Sequence, residues 1–184
     1  MGKKTPLYQS HLDAAAKMVD FAGWDMPLHY GSQIVEHDIV RTDSGMFDVS
    51  HMTVVDVTGD DAGAYLRYLL ANDIAKLKTG GKALYSCMLN ADGGVVDDLI
   101  VYFMRDGFYR VVINSATRDE DMAWLNQQAA DYQNLSIKER DDVAMIAVQG
   151  PHACEKSLSL FTEDQGSRLV SLGRFEAAET GGFF

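Results

Sequence analysis

The stretch that decides the fold is ALYSCMLNADGGVVDDLIVY, residues 83–102. It contains two runs rich in apolar and β-branched residues, the second continuing to Met104, and the turn-forming residues Asn90-Ala91-Asp92-Gly93-Gly94 separate them. A loop of this length and chemistry joins neighbouring antiparallel strands. The stretch therefore predicts a β-hairpin, and it places two adjacent carboxylates, Asp97 and Asp98, inside the second strand.

These two carboxylates are unusual in a run that otherwise favours burial. An ionised carboxylate moved into apolar surroundings costs several kcal/mol unless another group pairs with it. Successive side chains on a strand point to opposite faces, so Asp97 and Asp98 cannot easily share a proton and must be judged separately. Either both accept hydrogen bonds from the Gly93-Gly94 loop at the strand entry, or one of them serves chemistry.

The flanking segments extend this hairpin into a larger sheet with helices. Apolar periodicity and turn residues predict further strands at residues 52–58, 109–114 and 143–149. They also predict helices at residues 10–19, 33–42, 62–71 and 119–132, a helix opening at Gly150-Pro151, and an ordered loop at residues 21–31. Helix caps are expected within Gly59-Asp60-Asp61 and at Ser115 or Thr117.

Runs of strands interrupted by single helices are typical of an α+β fold, here a mixed or antiparallel sheet with helices packed on one face. We expect residues 1–184 to form a single folded unit. A doubly wound nucleotide-binding fold is disfavoured because TGDDAG, residues 58–63, lacks the GxGxxG spacing and carries carboxylates. TGGK, residues 79–82, lacks the Ser or Thr that follows the lysine of a P-loop.

The composition argues against several classes of partner. The net charge is −11, with 16 Lys and Arg against 27 Asp and Glu, which disfavours binding to a nucleic-acid backbone. No apolar run reaches bilayer length, and the first residues resemble neither a signal peptide nor a transit peptide. We therefore expect a soluble, cytoplasmic protein that binds neither nucleic acid nor a membrane.

Metal and disulfide chemistry are not indicated either. The five histidines show no HExxH or HxH spacing, so no metal site is expected. Cys87 and Cys154 are far apart and belong to no CxxC motif. We expect both thiols to be reduced and buried.

Five blocks, in order along the chain, carry a resemblance to a known family. They are FAGWDMPLHYG at 21–31, MFDVSHM at 46–52, the hairpin at 83–102, VVINSA at 111–116 and AVQGPHA at 147–153. Together they resemble the aminomethyltransferase family, the T-protein of the glycine cleavage system. The resemblance covers the N-terminal, folate-binding part of the family, and it implies the same fold for this chain.

The resemblance implies a reaction and a central residue. Family members pass the aminomethyl group from the dihydrolipoyl arm of H-protein to tetrahydrofolate, the acceptor substrate, and form 5,10-methylenetetrahydrofolate and ammonia. The family's key aspartate falls on Asp98. A carboxylate beside the reacting folate nitrogen can orient it, accept its proton directly or through water, and stabilise the iminium-like cation that develops.

The same resemblance places Met52, Tyr85, Val112 and Asn114 around the folate. Tyr85 would stack or hydrogen-bond at the pterin, Met52 and Val112 would supply apolar walls, and Asn114 would bind polar ring edges. Met52 and Val112 could equally be ordinary core residues. Asp97 is interpreted as structural, bonded to loop N–H groups.

The resemblance ends near GRFEAAETGGFF, residues 173–184, and we therefore expect the family's C-terminal domains to be absent. Those domains supply cationic groups for the folate, so we expect weak folate binding and little transfer by this chain alone. We also expect homo-oligomers formed through apolar surface that the missing domains would cover.

Two alternative functions stay open. One is a folate-binding relative outside glycine cleavage, of the tRNA-modification-associated branch or the branch that oxidises dimethylglycine or sarcosine. The other is a folate-binding module that holds its ligand or a partner without turnover.

Overall fold

The computed structural model describes residues 2–182 of the 184-residue chain. Its elements, in chain order, are α1 (Tyr8–Asp13), β1 (Lys17–Phe21), β2 (Trp24–His29), α2 (Gln33–Thr42), β3 (Gly45–Asp48), β4 (Thr53–Thr58), α3 (Ala62–Leu69), β5 (Ala83–Leu89), β6 (Val95–Arg105), β7 (Phe108–Ile113), α4 (Arg118–Gln128), β8 (Ser136–Glu139), β9 (Ile146–Gln149), α5 (Ala153–Leu158) and α6 (Glu163–Val170). Short 3-10 helices span Ile74–Lys76 and Ala129–Asp131.

The described residues divide into two compact units. The first contains the chain up to His51 together with Asp142–Ser171, and the second contains Met52–Asp141 together with the residues from Leu172 onward. The sequence predicted one folded unit over residues 1–184, and this stays a prediction.

The second unit is built on a five-stranded sheet in the order β5-β6-β7-β4-β8, in which all neighbours are antiparallel. The predicted hairpin is confirmed, with Ala83 opposite Tyr102 and Met88 opposite Asp97. The Asn90 side chain holds its loop by accepting hydrogen bonds from the N–H groups of Asp92 and Gly94. The predicted α+β class with an antiparallel sheet is likewise confirmed.

The two faces of the sheet differ, as the alternation along the strands predicted. One face packs against α3 and α4 in the core, and its largest contributors include Val55, Val57, Leu99, Val101, Val111, Ile113, Tyr65, Leu66, Leu69 and Leu125. The buried Tyr65 hydroxyl donates to the main-chain oxygen of Leu125 at 2.8 Å, which ties α3 to α4. Asp97 lies on this buried face, whereas Asp98 is exposed on the opposite face.

The face opposite the core carries an ion cluster in its centre. Asp56 on β4 accepts hydrogen bonds from Arg110 Nε at 2.7 Å, Arg110 Nη2 at 3.0 Å and Arg140 Nη1 at 2.7 Å. Burial raises the pKa of Asp56, but the hydrogen bonds from the two guanidinium groups outweigh burial and hold the pKa below its ordinary value. The cluster therefore keeps Asp56 ionised on a largely buried part of the sheet.

The first unit departs from the sequence prediction at its N-terminal end. The helix predicted over residues 10–19 ends at Asp13, and the loop predicted over residues 21–31 is a β-hairpin of β1 and β2. Ala22 and Gly23 connect the strands with φ of 50° and 83°, which is the geometry of a tight hairpin turn. Alanine is uncommon at a position with positive φ, so the local pattern did not indicate this turn.

The rest of the first unit combines confirmed and missed elements. The helix predicted at Gln33–Thr42 is confirmed, and Ser32 caps it by accepting a hydrogen bond from the Val35 N–H. The short strand β3 was not predicted and pairs with β9, which is shorter than the predicted strand over residues 143–149.

A polar chain joins the N-terminal segments of this unit. The Tyr30 hydroxyl lies 2.7 Å from His11 Nδ1, and His11 Nε2 lies 2.9 Å from Asp48 Oδ2. His11 and the Asp48 side chain are buried. The chain of contacts therefore connects α1, β2 and β3.

The cysteine prediction is partly wrong. Both thiols are free, as expected, but Cys87 is only partly buried and Cys154 is exposed on α5. Within residues 2–182, no helix has the length and apolar character needed to cross a membrane.

The Asp56 cluster generates a stability prediction. Replacing Asp56 by Asn removes the buried negative charge that lies between two partly buried guanidinium groups, and we expect the free energy of unfolding at neutral pH to fall by about 3 kcal/mol. Urea denaturation of both proteins measures this change. Because the folded-state pKa of Asp56 is lowered, the difference is present above about pH 4 and shrinks as the pH falls further.

The matched control is Asp92→Asn in the exposed hairpin loop, which removes the same charge and should change stability by less than about 0.5 kcal/mol. An Asp56→Asn protein as stable as this control would contradict the account.

Candidate functional site

Three of the five predicted site residues share the face of the sheet that points away from the core. In the β5–β6 register, Tyr85 lies opposite Ile100, and Asp98 lies opposite Cys87. In the β6–β7 register, Ile100 lies opposite Val112. Side chains that are diagonal neighbours on one face are within reach of a tyrosine, so the pairing brings Tyr85 and Asp98 together.

Asp98 is held by a tyrosine on the neighbouring strand. The Tyr85 hydroxyl donates to Asp98 Oδ2 at 2.6 Å. This hydrogen bond favours the neutral phenol, and together with the negative charges nearby it raises the pKa of Tyr85 to about 12. The Tyr85 side chain remains 50% exposed, so its ring is accessible from solvent.

Asn114, directly after β7, contacts both aspartates. Its Nδ2 group donates to Asp97 Oδ1 at 2.9 Å and to the main-chain oxygen of Asp98 at 3.1 Å, with a longer approach of 3.5 Å to Asp98 Oδ1. Its main-chain N–H donates to Asp97 Oδ2 at 3.2 Å. Among the residues that the structure describes, none donates to the Asn114 amide oxygen, which is therefore available to a ligand.

Tyr85, Asp98 and Asn114, with Asp97 beneath them, are called the Asp98 cluster below. Asp97 is only 8% exposed and also accepts a hydrogen bond from the Thr117 hydroxyl at 3.1 Å. Burial raises the pKa of Asp97, but the hydrogen bonds from Asn114 and other donors outweigh burial and keep the pKa below its ordinary value. Asp97 therefore binds the segment after β7. The sequence had predicted N–H groups of the Gly93-Gly94 loop as its partners.

A third carboxyl, Asp121 on α4, lies next to Asp97 and was missed by the sequence interpretation. It is fully buried, at 0% exposure, and neither of its oxygens receives a hydrogen bond within residues 2–182. Burial raises the pKa of Asp121 to about 7, and the neighbouring carboxylates of Asp97 and Glu120 contribute to the rise. The sequence offered one indication that Asp121 is buried: it lies four residues before the apolar Leu125, and residues four apart share one face of a helix.

Two predicted site residues, Val112 and Met52, lie outside the Asp98 cluster and flank it. Val112 is half-buried between Ile100 and Val54 in the register, so it forms an apolar surface beside Tyr85 and Asp98. Met52 is half-buried and immediately precedes Thr53, which lies opposite Ile113. Met52 and Asn114 therefore occupy the same end of the β4–β7 pair.

His51 packs against an aromatic neighbour. Its ring contacts Phe21 edge to face, with ring centroids 5.4 Å apart. Burial lowers the pKa of His51 despite the opposing effect of Asp48. Its Nδ1 atom has no hydrogen-bond partner in the described part of the chain.

The Asp98 cluster lies on an open face. Two cavities of the second unit lie elsewhere: one of about 220 Å³ is lined by residues such as Arg67, Ile74 and Phe103, and a shallower one lies beside Gly59 and Asn134. Neither is lined by a residue of the cluster. An exposed carboxylate fixed by a phenol and an amide can accept a hydrogen bond from a ligand N–H or stabilise a developing cation.

Comparisons with known proteins agree with this description. The family model described as GCVT N-terminal domain matches residues 7–183. The crystal structure of glycine cleavage system aminomethyltransferase T from Bartonella henselae is similar, with a TM-score of 0.84 and 32% sequence identity. The match covers 96% of this chain and 47% of that chain, so this chain spans about half the length of the solved relative.

The Tyr85 contact generates a prediction about titration. Replacing Asp98 by Asn removes the carboxylate that favours the neutral phenol, so the pKa of Tyr85 should fall from about 12 toward about 10. NMR of ring-labelled tyrosine, with Tyr85→Phe to assign the signal, measures the change. Asp92→Asn serves as the control and should leave the value near 12; an unchanged value in Asp98→Asn would show that this hydrogen bond is not the cause.

Asp121 generates a prediction about stability and pH. Its folded-state pKa of about 7 exceeds the ordinary value of 3.8, so the unfolded chain releases this proton first. The free energy of unfolding therefore loses a contribution as the pH rises from about 4 to about 7. Asp121→Asn removes this loss. The free energy of unfolding of Asp121→Asn minus that of the parent protein should therefore be about 2–3 kcal/mol larger at pH 8 than at pH 5.

Urea denaturation at the two pH values measures this difference. Asp119→Asn, which removes a charge from an exposed position in the same helical turn, should show no comparable pH dependence. If the Asp121→Asn difference were equal at both pH values, Asp121 would not carry the raised pKa.

Proposed function

Because the chain belongs to the family described as the GCVT N-terminal domain, as the five sequence blocks predicted, we propose that it is the folate-binding part of an aminomethyltransferase. The proposed reaction transfers the aminomethyl group carried on the dihydrolipoyl arm of H-protein to tetrahydrofolate. Its products are 5,10-methylenetetrahydrofolate and ammonia. The solved relative is an aminomethyltransferase of the glycine cleavage system, which supports this choice.

The observation that carries the proposal is the Asp98 carboxylate, exposed on the sheet and held by Tyr85 at 2.6 Å. In the transfer, two folate nitrogens bond to the aminomethyl carbon as ammonia and the lipoyl sulfur leave, and their two protons end on ammonia and on the dihydrolipoyl thiol. Each attacking nitrogen loses a proton. A fixed carboxylate can take this proton directly or through water. It also stabilises the positive charge that builds up on the one-carbon unit, which is the larger of the two effects in many enzymes.

The surrounding groups fit the chemistry of a pterin. The half-exposed Tyr85 ring offers a stacking surface, and the Asn114 amide oxygen can accept a hydrogen bond from a ring N–H. Val112 presents apolar surface two residues before Asn114, next to Ile100, and Met52 flanks the Asn114 end. We therefore propose Asp98 as the catalytic residue, with Met52, Tyr85, Val112 and Asn114 as folate-binding residues.

This chain offers few available cationic partners for the anionic tail of tetrahydrofolate. Two of the cations on the same face of the sheet, Arg110 and Arg140, already bind Asp56. A folate carboxylate would have to compete with that buried pairing. We therefore propose that this chain alone binds tetrahydrofolate weakly and transfers the aminomethyl group slowly or not at all.

H-protein is the proposed macromolecular partner, and a cytoplasmic location and homo-oligomer formation stay predictions. Several apolar side chains of the first unit are exposed, among them Ile34, Met46 and Leu160. Apolar surface of this kind is compatible with association, either with another protein or with a second copy.

A second candidate function is a folate-binding module without turnover. The open face on which Asp98 is exposed favours it. A folate-binding relative that acts outside glycine cleavage is a further alternative. Aminomethyl transfer from H-protein, even at a low rate, would reject the module and support the aminomethyltransferase.

Substituting Asp98 by Asn tests the catalytic assignment. The amide preserves the shape and removes the charge, so tetrahydrofolate affinity should fall by about tenfold or more, the effect of one hydrogen bond to a charged group. Any transfer from aminomethylated H-protein should fall by about 100-fold or more. Calorimetry under anaerobic conditions measures binding, and a single-turnover assay measures transfer.

Asp92→Asn is again the matched control, because it removes an equal charge from the same hairpin and should leave both measurements unchanged. Transfer by Asp98→Asn that stays within a few-fold of the parent rate would contradict the catalytic role of Asp98.

A further inference from the structure

Asp121 stands out among the buried polar groups because it is fully enclosed and both of its oxygens lack a donor among residues 2–182. A buried carboxylate without a donor costs several kcal/mol. A buried carboxyl that carries a proton can instead donate a hydrogen bond to a neighbouring acceptor. The adjacent acceptor is the carboxylate of Asp97.

The surroundings of Asp97 decide which of the two carboxyls carries the proton. Asp97 receives three hydrogen bonds, from the Asn114 N–H, the Asn114 Nδ2 group and the Thr117 hydroxyl. All three are donors, and they stabilise the ionised form of Asp97. Thr117 has a single hydroxyl proton and directs it to Asp97. A proton shared between the two carboxyls therefore resides on Asp121.

We propose that Asp121 is a positioning residue for the Asp98 cluster: its protonated carboxyl donates to Asp97, and Asp97 in turn holds Asn114 against Asp98. Each later link is a direct contact, 2.9 Å from Asn114 Nδ2 to Asp97 Oδ1 and 3.1 Å from the same nitrogen to the main-chain oxygen of Asp98. Asp121 reaches no solvent and no ligand, so it acts only through these partners. The consequence for folate binding rests on the proposed function.

Loss of the Asp121 proton should loosen this chain of contacts. The groups that act on Asp121 are the carboxylate of Asp97 from β6, the carboxylate of Glu120 from its own helix, and the neutral hydroxyl of Thr117. Ionised Asp121 would face Asp97 as a like charge in a buried place, and the two would separate. Asn114, whose side chain and N–H both bind Asp97, would move with it. With the pKa of Asp121 raised to about 7, this change falls near neutral pH.

The test follows the Asn114 side-chain amide by NMR, which needs no ligand. In the parent protein, we expect its signals to shift with a midpoint near pH 7. In Asp121→Asn, the side chain keeps a donor toward Asp97 at every pH, so the signals should resemble the parent at about pH 6 and stay unchanged to about pH 8. The control Asp119→Asn should retain the parent midpoint.

A second variant, Asp121→Leu, removes the donor at similar volume and should displace the Asn114 signals at both pH values. If Asp121→Leu does not fold, the comparison of the parent with Asp121→Asn still decides the question. Asn114 signals that do not titrate in the parent, or that keep the same midpoint in Asp121→Asn, would overturn the proposal.

Tetrahydrofolate titrations at about pH 6 and about pH 8 separate this proposal from the proposed function. We expect the parent to bind several-fold more weakly at the higher pH and Asp121→Asn to bind equally at both. Titration of Asn114 without any tetrahydrofolate binding would reject the proposed function and support the positioning role. Binding at equal strength at both pH values in the parent, with Asn114 signals that ignore Asp121, would reject the positioning role alone.

Discussion

The contact on which the site depends is the pair of hydrogen bonds between Asp97 and Asn114. It joins the beginning of β6 to the residue that follows β7, beyond the Ile100–Val112 pair at which the regular β6–β7 pairing ends. The same Asn114 side chain then reaches the main chain of Asp98. A catalytic carboxylate needs a fixed position to be effective, and here the fixation comes from a buried neighbour that takes no part in the proposed chemistry.

Two adjacent aspartates can have these separate roles because a strand turns successive side chains to opposite faces. Asp97 enters the buried side, where donors from Asn114 and Thr117 compensate its charge. Asp98 remains on the open side, where the Tyr85 hydroxyl is its closest donor. One residue of register slip would exchange the two positions and bury the exposed carboxylate. The register of the hairpin therefore determines which of the two aspartates is exposed at the candidate site.

The sequence predicted the parts of the structure that follow from local pattern. The hairpin at 83–102 has apolar alternation and a Gly-rich loop, and the strand pairing obeys both. Features that depend on distant partners were missed. Asp61 and Thr117 occupy cap positions as predicted, but their side chains bind Asn134 and Asp97 instead of the helix N–H groups. No local pattern distinguishes a capping hydroxyl from one that bonds across the fold.

The burial of Asp121 is a second feature that the local sequence pattern could not predict. The first turn of α4 contains three acidic residues, Asp119, Glu120 and Asp121. By position alone, all three are favourable to the helix dipole. Only the packing of α4 on the sheet separates the exposed Asp119 from the buried Asp121. Burial then opposes the dipole, because the cost of desolvating a carboxylate exceeds the fraction of a kcal/mol to about 1 kcal/mol that a helix terminus contributes. The balance favours a protonated Asp121, and a neutral carboxyl is the form that can share a buried site with the ionised Asp97.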